Sequence, residues 1–284
     1  MPNLRIVYNN AADRATSLTA STTAGSLVAA NMQTDYKTKV HRSTGTSVTY
    51  TLTWNIAEVV GAVALPATNL TASATIRVRL YSDTAGTALI ADSGTVFAAP
   101  GTNLQYWDWS QTLNQSSSAF GGNVNTFAFG GYSKTAVWFE NQVANVKACV
   151  IDLVDTTNTT GYIDCSRIIV GGYWEPTFNA ENGVQVEIVD TSTTSRSEAG
   201  DLVVDRDILH EKLNFNFSLL PENDRNSLMK IIRLIGTSKN ILVCLFPNDS
   251  NTQQDFMIYG KRTNGSVNYE VFSFYKHSME IIGW

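Results

Sequence analysis

The 284-residue sequence has few charged residues and no long hydrophobic run. Asp, Glu, Lys and Arg make up 16% of the chain and the formal net charge is -5, which argues against a general phosphate-binding surface and so against nucleic acid as a partner. No run of 18 apolar residues occurs, so we expect no membrane span. The N-terminus lacks the charged start and apolar core of a secretory signal, so we expect synthesis and assembly in a cytoplasm.

The motifs of common catalytic and metal sites are missing as well. The three histidines show neither HxH nor HExxH spacing, and there is no GxSxG elbow, P-loop or GxGxxG pattern. The three cysteines form no CxxC or metal-binding spacing, and we expect buried, reduced thiols at Cys149, Cys165 and Cys244. We therefore expect a protein that is not an enzyme, with no catalytic residues, no bound metal and no cofactor.

Carboxylates near turns are the remaining candidates for catalysis. Asp152, Asp155 and Asp164 have the residue type that glycoside hydrolysis by paired carboxylates needs. Aspartates at turns of β-proteins usually cap the turn, and we favour that interpretation here. A looser acidic cluster suits either a cation or surface ion pairs, of which we favour ion pairs. Its members are Asp201, Asp205, Asp207 and Glu211, with Arg206.

Alternating apolar residues are the main pattern that the chain does contain. Val48 to Trp54 alternates with threonines, and Ala74 to Tyr81 alternates with Arg77 and Arg79, which we expect to point outward. Val146 to Leu153 and Tyr162 to Val170 indicate two neighbouring antiparallel strands. Short strands at regular spacing, separated by turn residues, predict a β-sandwich or jelly roll rather than a parallel α/β sheet.

The second half of the chain combines strands with one helix. Pro221 and the acidic residues after it suit a helix start, apolar residues then follow at helical spacing, and Gly236 suits the end. We therefore predict a helix near 222–236. The strand pattern breaks at Gly172, just before Tyr173-Trp174-Glu175-Pro176. The predicted fold class is mainly β: an N-terminal jelly-roll β-sandwich over 1–172, followed by a smaller β-rich α+β domain over 173–284.

An aromatic stretch within residues 101–132 provides the candidate binding site. Tyr106, Trp107, Asp108 and Trp109 place two indole rings two residues apart, next to polar side chains. Aromatic faces beside Asp, Asn and Gln stack on sugar rings and hydrogen-bond sugar hydroxyls, so these four residues form a candidate glycan site. The alternative is that the rings pack into the core or against a partner subunit.

Several stretches resemble known families. Residues 62–70 (AVALPATNL), 74–79 and 146–170 resemble galactose-binding-like (discoidin-type) jelly rolls. Residues 161–179 (GYIDCSRIIVGGYWEPTFN) resemble tail proteins of long-tailed bacteriophages, in which a jelly roll passes directly into a second domain. Stretches of the second half, among them 205–207, 213–225 and 258–261, resemble the same phage family.

The resemblance implies a structural component of a phage tail tip or baseplate, located in the virion and assembled in the bacterial cytoplasm. Its partners would be other tail proteins and copies of itself, with host surface glycans as a further contact. The alternative is a dedicated receptor- or carbohydrate-binding protein that serves host attachment. The third and least favoured interpretation is a glycan-degrading enzyme, which needs two carboxylates at a fixed separation in a groove.

Overall fold

A computed structural model describes residues 3–100, 103–106, 122–125, 133–181, 183–205, 207, 209–249, 252–263, 267–271 and 274–284. Contacts divide the chain into two compact units. The first, called the sandwich unit, contains Asn9–Trp174 and Phe246–Met257. The second unit contains Asn3–Tyr8, Glu175–Leu245 and Ile258–Trp284.

The elements of the described residues are mostly strands, as the alternating patterns predict. In chain order the strands are β1 (Arg5–Val7), β2 (Ser17–Ala20), β3 (His41–Arg42), β4 (Ser47–Thr68), β5 (Thr75–Tyr81), β6 (Leu89–Phe97), β7 (Asn103–Tyr106), β8 (Gly122–Asn125), β9 (Ser133–Val154), β10 (Asp164–Cys165), β11 (Ile169–Gly171), β12 (Gln185–Asp190), β13 (Thr193–Arg196), β14 (Leu202–Asp205), β15 (Leu209–Leu220), β16 (Asn240–Cys244), β17 (Met257–Arg262), β18 (Val267–Val271) and β19 (Phe274–Gly283). The helices are α1 (Glu222–Ile235) and α2 (Gln253–Phe256), with 3-10 helices at Ala11–Arg14 and Ala29–Gln33. The predicted mainly-β fold class is confirmed.

Two long strands organise the sandwich unit. β4 and β9 are each 22 residues long and pair antiparallel along most of their length. The first half of β4 also pairs with β2, whereas its second half pairs with β10 and β11. The second half of β9 pairs with β5, which continues to β6. These pairings and that of β3 with β10 join eight strands into one sheet, whose buried side chains form the core.

The period-two pattern decides which side chains form that core. In the first half of β4, Val48, Tyr50, Leu52 and Trp54 are buried, whereas the threonines between them are half-buried on the other face. In β5, the alternating residues Ile76, Val78 and Leu80 are buried, as is Tyr81 at its end, and the outward direction predicted for the two arginines is confirmed. The alternating residues of β9 complete this core from the neighbouring strand.

The strand boundaries differ from the sequence prediction at two places. The pattern predicts separate strands around Val48–Trp54 and Val59–Leu65, but β4 runs through both, with register shifts in its pairing to β9. Pro66 lies within β4 at one of these shifts, where no ladder hydrogen bond is needed from its nitrogen. β9 likewise continues through Asn145, whose positive φ of 60° bends the strand without ending it.

The predicted pairing of residues 146–153 with residues 162–170 is wrong. The second of these stretches forms only the short strands β10 and β11, which pair with β4 and, in the case of β10, with β3. β9 is already paired on both sides over residues 148–154, by β4 and β5. A strand with two partners has no free edge, so residues 162–170 join the sheet elsewhere.

The second unit is a sheet with one long helix. Its strand order is β1-β16-β17-β19-β15-β12, with β18 paired to β19. Helix α1 buries Leu228, Ile231 and Ile235 and ends at Gly236, as predicted, although Pro221 caps the helix instead of occupying its first turn. Strand β1 belongs to this sheet because Arg5–Val7 pairs antiparallel with β16.

The unit boundaries can be compared with the sequence prediction. The sequence analysis places the change of domain between residues 172 and 173, and the units of the structure change between Trp174 and Glu175. Two segments are exchanged relative to a simple division of the chain. Asn3–Tyr8 lies in the second unit, and Phe246–Met257 lies in the sandwich unit. The exchange of Phe246–Met257 is explained by α2, whose Gln253 and Gln254 hydrogen-bond the backbone of β9.

All three cysteines are buried and free, as predicted. Desolvation raises the pKa of Cys165 to about 12 and raises that of Cys149 as well, so both thiols are protonated and unreactive near neutral pH. None of the described helices has the length and hydropathy needed to cross a bilayer.

Candidate functional site

The predicted glycan residues lie in the stretch of chain between β6 and β9. Tyr106 is the last residue of β7, and its backbone pairs with Gly122 of β8. Trp107, Asp108 and Trp109 lie outside the described residues. The glycan site at these four residues therefore stays a prediction.

The residues that flank this stretch lie at one end of the sandwich. β9 begins at Ser133, which pairs with Thr68, the last residue of β4, and the two hydroxyls hydrogen-bond at 2.6 Å. β6 ends at Phe97 opposite Thr75, and the next amide, of Ala98, donates to the Ala74 carbonyl. We call this end of the unit the loop end. It is formed by residues 69–74 and 155–164, together with Arg42 of β3.

An arginine held on two sides is the main feature of the loop end. Arg42 donates from Nε to Oδ1 and from Nη2 to Oδ2 of Asp164, both at 2.8 Å, which is a bidentate ion pair. The guanidinium also lies over the ring of Tyr162, with Cζ 3.9 Å from the ring centroid. Hydrogen bonding to Asp164 raises the pKa of Arg42, so its positive charge is permanent.

The loop that carries Tyr162 and Asp164 is fixed by one buried amide. Asn69 is only 2% exposed, and its Nδ2 donates to Thr160 Oγ1 at 3.1 Å and to the Tyr162 carbonyl at 3.0 Å. Its Oδ1 accepts from the Asp164 amide at 2.8 Å. Arg42, Asn69, Thr160, Tyr162 and Asp164 together are called the Arg42 cluster. Because Asn69 bonds the loop backbone itself, the ion pair is held in place before any ligand arrives.

A buried histidine supports the cluster from inside the sandwich. His41 precedes Arg42 in β3, and its Nδ1 lies 2.9 Å from the Tyr50 hydroxyl while its Nε2 lies 3.0 Å from the Thr22 carbonyl. A carbonyl only accepts, so Nε2 carries the proton and Nδ1 accepts from the Tyr50 hydroxyl. Desolvation lowers the pKa of His41, against the opposing effect of the Thr22 carbonyl. The ring is therefore a neutral structural group that fixes β3.

The three aspartates considered for catalysis are each occupied by other side chains. Asp155 is buried and accepts from the amide and hydroxyl of Thr71 and from Asn158, which is the turn-capping role favoured by the sequence. Asp152 accepts from Thr49 Oγ1 at 2.8 Å and forms an ion pair with Arg79. Asp164 belongs to the Arg42 cluster.

The acidic cluster of the second unit is dispersed along a β-hairpin. Asp205 lies in β14, paired with Thr193, and Glu211 lies in β15, paired with Ile188. Asp207 accepts from the Thr191 hydroxyl at 3.0 Å. Arg206 lies outside the described residues. Within the described part of the chain, no three His, Cys, Asp or Glu side chains come together as a metal site would require.

The Arg42 cluster has hydrogen-bonding capacity left for a ligand. The hydrogen bonds of the guanidinium use Nε and Nη2, while Nη1 makes none with the described residues, and the side chain is 35% exposed. Each Asp164 oxygen has an unused lone pair, because a carboxylate accepts about four hydrogen bonds. A fixed pair of donors and acceptors beside an aromatic ring suits a ligand rich in hydroxyl groups.

Sequence reasoning did not identify this cluster as a site. Asp164 is considered there only as a carboxylate near a turn, and Arg42 and Tyr162 are not candidates. Arg42 and Asp164 are 122 positions apart and meet only because β3 pairs with β10. The strand that carries Arg42 consists of His41 and Arg42, and two residues are too few to show a periodic pattern in the sequence.

Comparison with known proteins gives likenesses of structure only. No family model matches the chain, and no curated protein matches it. A fucose binding module of Streptococcus pneumoniae aligns with 58% of this chain and 95% of its own, at 11% identity and a TM-score of 0.35. Chitosan-binding module 1 of a Paenibacillus chitosanase/glucanase aligns with 58% of this chain and 99% of its own, at 14% identity and a TM-score of 0.36. A family 32 CBM from C. perfringens NanJ in complex with galactose aligns with 58% of this chain and 98% of its own, at 10% identity and a TM-score of 0.36. These identities and scores are too low to support an argument about function, and the chain is similar to these β-sandwich modules without being assigned to their family.

Proposed function

We propose that this protein is a non-catalytic binding protein that recognises a carbohydrate at the loop end of its sandwich unit. The observation that carries the proposal is the Arg42 guanidinium, which is paired with Asp164 and stacked on Tyr162 while Nη1 stays available. Sugar hydroxyls both donate and accept, so a fixed guanidinium–carboxylate pair offers complementary groups to two adjacent hydroxyls.

The place of the predicted aromatic residues in the sequence supports the same ligand class. Tyr106, Trp107, Asp108 and Trp109 belong to the stretch of chain whose described flanks, Ala98 and Ser133, lie at the loop end. One face of a sugar ring is apolar and stacks on an aromatic side chain. Its edge is polar and hydrogen-bonds charged or polar side chains. The described ends of this stretch therefore lie beside the Arg42 cluster, and the aromatic half of the site stays a prediction.

Preorganisation is the physical reason to expect useful affinity from so few groups. Ordering a flexible arginine on binding costs about 0.5–1.5 kcal/mol. Here the guanidinium is already held by two hydrogen bonds and a ring, and the loop opposite is fixed by Asn69. The ligand meets groups that are already ordered, so less of the interaction free energy is lost.

The test is a glycan array followed by calorimetry on the full chain, comparing wild type with Arg42→Ala. The matched control is Arg77→Ala, because Arg77 is also a half-exposed arginine of the sandwich unit with a bidentate aspartate partner, Asp92. We expect Arg42→Ala to weaken the affinity for the bound glycan by about tenfold or more, since it removes a charged hydrogen bond, and Arg77→Ala to leave it unchanged.

The aromatic residues are tested separately in the same experiment. Loss of binding in Trp107→Ala and Trp109→Ala with the folding intact would support the aromatic half of the site. Unchanged binding in these two variants would remove that half, and unchanged binding in Arg42→Ala would remove the charged half. A wild-type protein that binds no glycan on the array contradicts the proposal as a whole.

A second proposal is that the protein is a structural subunit of a bacteriophage tail tip or baseplate. The specific observation that favours an assembly role is a long β-hairpin in the second unit. β12 pairs with β15, and the hairpin continues into the two-stranded ribbon β13–β14, whose Leu202, Val203 and Val204 are all exposed. A two-stranded ribbon is marginally stable by itself, so exposed aliphatic residues on it indicate contact with another chain.

Under this second proposal we predict contacts with other tail proteins and with copies of this chain, and a location in the virion. Sedimentation of the purified chain at several concentrations tests self-association, with Leu202→Ser as the variant expected to weaken it and Ser195→Ala in the opposite strand as the control. Detection of the chain in purified, washed particles by mass spectrometry tests the virion location. A chain that is absent from such particles contradicts the tail assignment and leaves the carbohydrate proposal untouched.

A further inference from the structure

The second unit contains an open pocket that neither proposal uses. It has a volume of about 560 Å³ and lies where the end of β17, the start of β16 and the end of β19 meet the turn after helix α1. Its polar lining comes from Thr237, Asn240, Lys261, Arg262 and Thr263, and Ile282 and Trp284 add apolar surface. This volume is enough for a ligand of one or two sugar rings. We call it the Arg262 pocket.

Arg262 is a buried cation without a counter-charge among the described residues. The residue is only 7% exposed, and its Nε and Nη1 have no hydrogen-bond partner in that part of the chain. In β17 it pairs with Ile281, which is fully buried, so its side chain lies on the core face of the sheet. Desolvation lowers the pKa of Arg262, which reflects the cost of burying its charge. A guanidinium in this position needs acceptors that the described residues do not provide.

Asn240 adds a second unpaired group to the same pocket. Both Nδ2 and Oδ1 of its amide are buried and lack a hydrogen-bond partner among the described residues. Oδ1 of Asn240 is an acceptor and the Arg262 guanidinium is a donor. Both side chains line the pocket, but they do not hydrogen-bond each other. A group that both accepts and donates, such as a hydroxyl beside an anionic oxygen, satisfies the two side chains together.

The charge of the lining selects an anion. Lys261, which is exposed, adds a second positive charge to that of Arg262, and no Asp or Glu is among the described residues that line the pocket. Trp284 lies at the same place, with its ring edge-to-face against Tyr259 at 5.4 Å between centroids. An aromatic side chain next to two cations and an amide suits a small ring that carries one anionic group.

We propose that the Arg262 pocket binds a small hydroxylated anion, namely a carboxylate or phosphate group on a sugar-sized scaffold. The anionic group contacts Arg262, Lys261 adds its positive charge from the opposite face of β17, and the hydroxyls contact Asn240 and the threonines. The site lies entirely within the second unit and shares no residue with the Arg42 cluster. It therefore goes beyond the carbohydrate proposal for the sandwich unit and does not depend on it.

Calorimetry on the full chain tests the proposal with four probes: D-glucuronate, glucose 6-phosphate, inorganic phosphate and glucose. We expect glucuronate or glucose 6-phosphate to bind with one site per chain, and glucose to bind at least about tenfold more weakly because it lacks the charge. The comparison of glucuronate with glucose 6-phosphate distinguishes a carboxylate ligand from a phosphorylated one. Inorganic phosphate that binds as tightly as glucose 6-phosphate contradicts the proposed contacts with hydroxyls.

Three variants locate the site. Arg262→Met keeps the volume of the side chain and removes its charge, and we expect it to weaken binding by about tenfold to a hundredfold. Asn240→Leu and Lys261→Met are expected to weaken it by smaller factors. Arg233→Met is the control, because Arg233 is an exposed arginine of α1 that does not line the pocket.

A stability measurement keeps the test informative if a variant is perturbed. Replacing a buried charge that lacks a partner by an apolar residue is neutral or stabilising, so Arg262→Met is expected to unfold at the same or a higher temperature than wild type. If Arg262→Met unfolds at a much lower temperature, Arg262 has a structural role, which contradicts the proposal. Wild-type protein that binds none of the four probes at up to about 10 mM, where a Kd near 1 mM gives near saturation, also overturns it.

Discussion

Substitution of Asn69 by alanine tests how the Arg42 cluster is held together. The Asn69 side chain makes three hydrogen bonds, to Thr160, to the Tyr162 carbonyl and from the Asp164 amide. A typical intramolecular hydrogen bond contributes about 0.5–1.5 kcal/mol, and a buried partner left unpaired costs more. We therefore expect Asn69→Ala to lower the free energy of unfolding of the sandwich unit by about 2–4 kcal/mol.

The assay has to report on the sandwich unit alone, because two units need not unfold in one transition. Hydrogen exchange at increasing urea concentration, read from peptides that cover residues 147–165, gives the free energy of opening of this region. The control is Asn55→Ala, since Asn55 is exposed in β4 and its side chain makes no hydrogen bond with the described residues. We expect the control to change the free energy by less than about 0.5 kcal/mol.

The same variant connects stability with binding. Without Asn69 the loop that presents Asp164 loses its anchor, so the Arg42–Asp164 pair is expected to lose its fixed geometry and the glycan affinity to fall with it. If Asn69→Ala changes the opening free energy by no more than Asn55→Ala does, the amide does not hold the loop. The preorganisation that the carbohydrate proposal relies on is then refuted.

Two further predictions concern the interior of each unit. Because burial lowers the pKa of His41 below its ordinary value of 6.5, the unfolded chain takes up the proton first, so the stability of the sandwich unit should fall between about pH 7 and pH 5. Hydrogen exchange at both pH values should show a smaller fall in His41→Gln, and an equal fall in both proteins would contradict the neutral assignment. In the second unit, a Cβ added at Gly260 would lie 2.0 Å from the backbone oxygen of Ile282, so Gly260→Ala should destabilise this unit by at least about 2 kcal/mol in urea unfolding. Gly45→Ala, where an added Cβ meets nothing within 4 Å, is the neutral control, and equal stabilities of the two variants would refute the steric argument.

The elements that follow a strict local period could be predicted from the sequence. The alternation of Val48, Tyr50, Leu52 and Trp54 with threonines reflects one buried and one outer face, and the structure has this arrangement. Helix α1 was equally predictable, since its apolar residues recur at helical spacing and Gly236 ends it with a positive φ of 56°. In both cases the deciding information lies within about fifteen neighbouring residues.

The pairing of strands could not be predicted in the same way, because it depends on residues far apart in the chain. The pattern of Leu4 to Tyr8 predicts a strand, but nothing local indicates that its partner is β16 in the second unit. The continuity of β4 was missed for a related reason. Its residues between Asn55 and Glu58 are mostly exposed, so the apolar pattern is interrupted where the backbone continues.

Two glycines lie at the predicted domain boundary, and the sequence alone does not show why glycine is needed there. Gly171 and Gly172 indicated a change of structure, and the structure shows why both lack a side chain. A Cβ at Gly171 would lie 2.5 Å from the Asn9 backbone oxygen, and a Cβ at Gly172 would lie 2.6 Å from Oε1 of Gln142. The backbone of Asn9 therefore requires glycine at position 171, whereas a side chain at position 172 would require the end of the Gln142 side chain to move.

Arg262 is a charged residue at a strand position that faces the core, where the alternating pattern favours an apolar residue. In β17 its position faces the same side as Ile258 and Gly260, where an apolar residue would complete the core face at no electrostatic cost. Polar groups on such a face are usually satisfied by other protein groups, as His41 is by Tyr50 and Thr22. Arg262 has no such partner among the described residues for Nε or Nη1. Natural sequences accept this cost mainly at functional sites, so a ligand explains this arginine better than the stability of the second unit does.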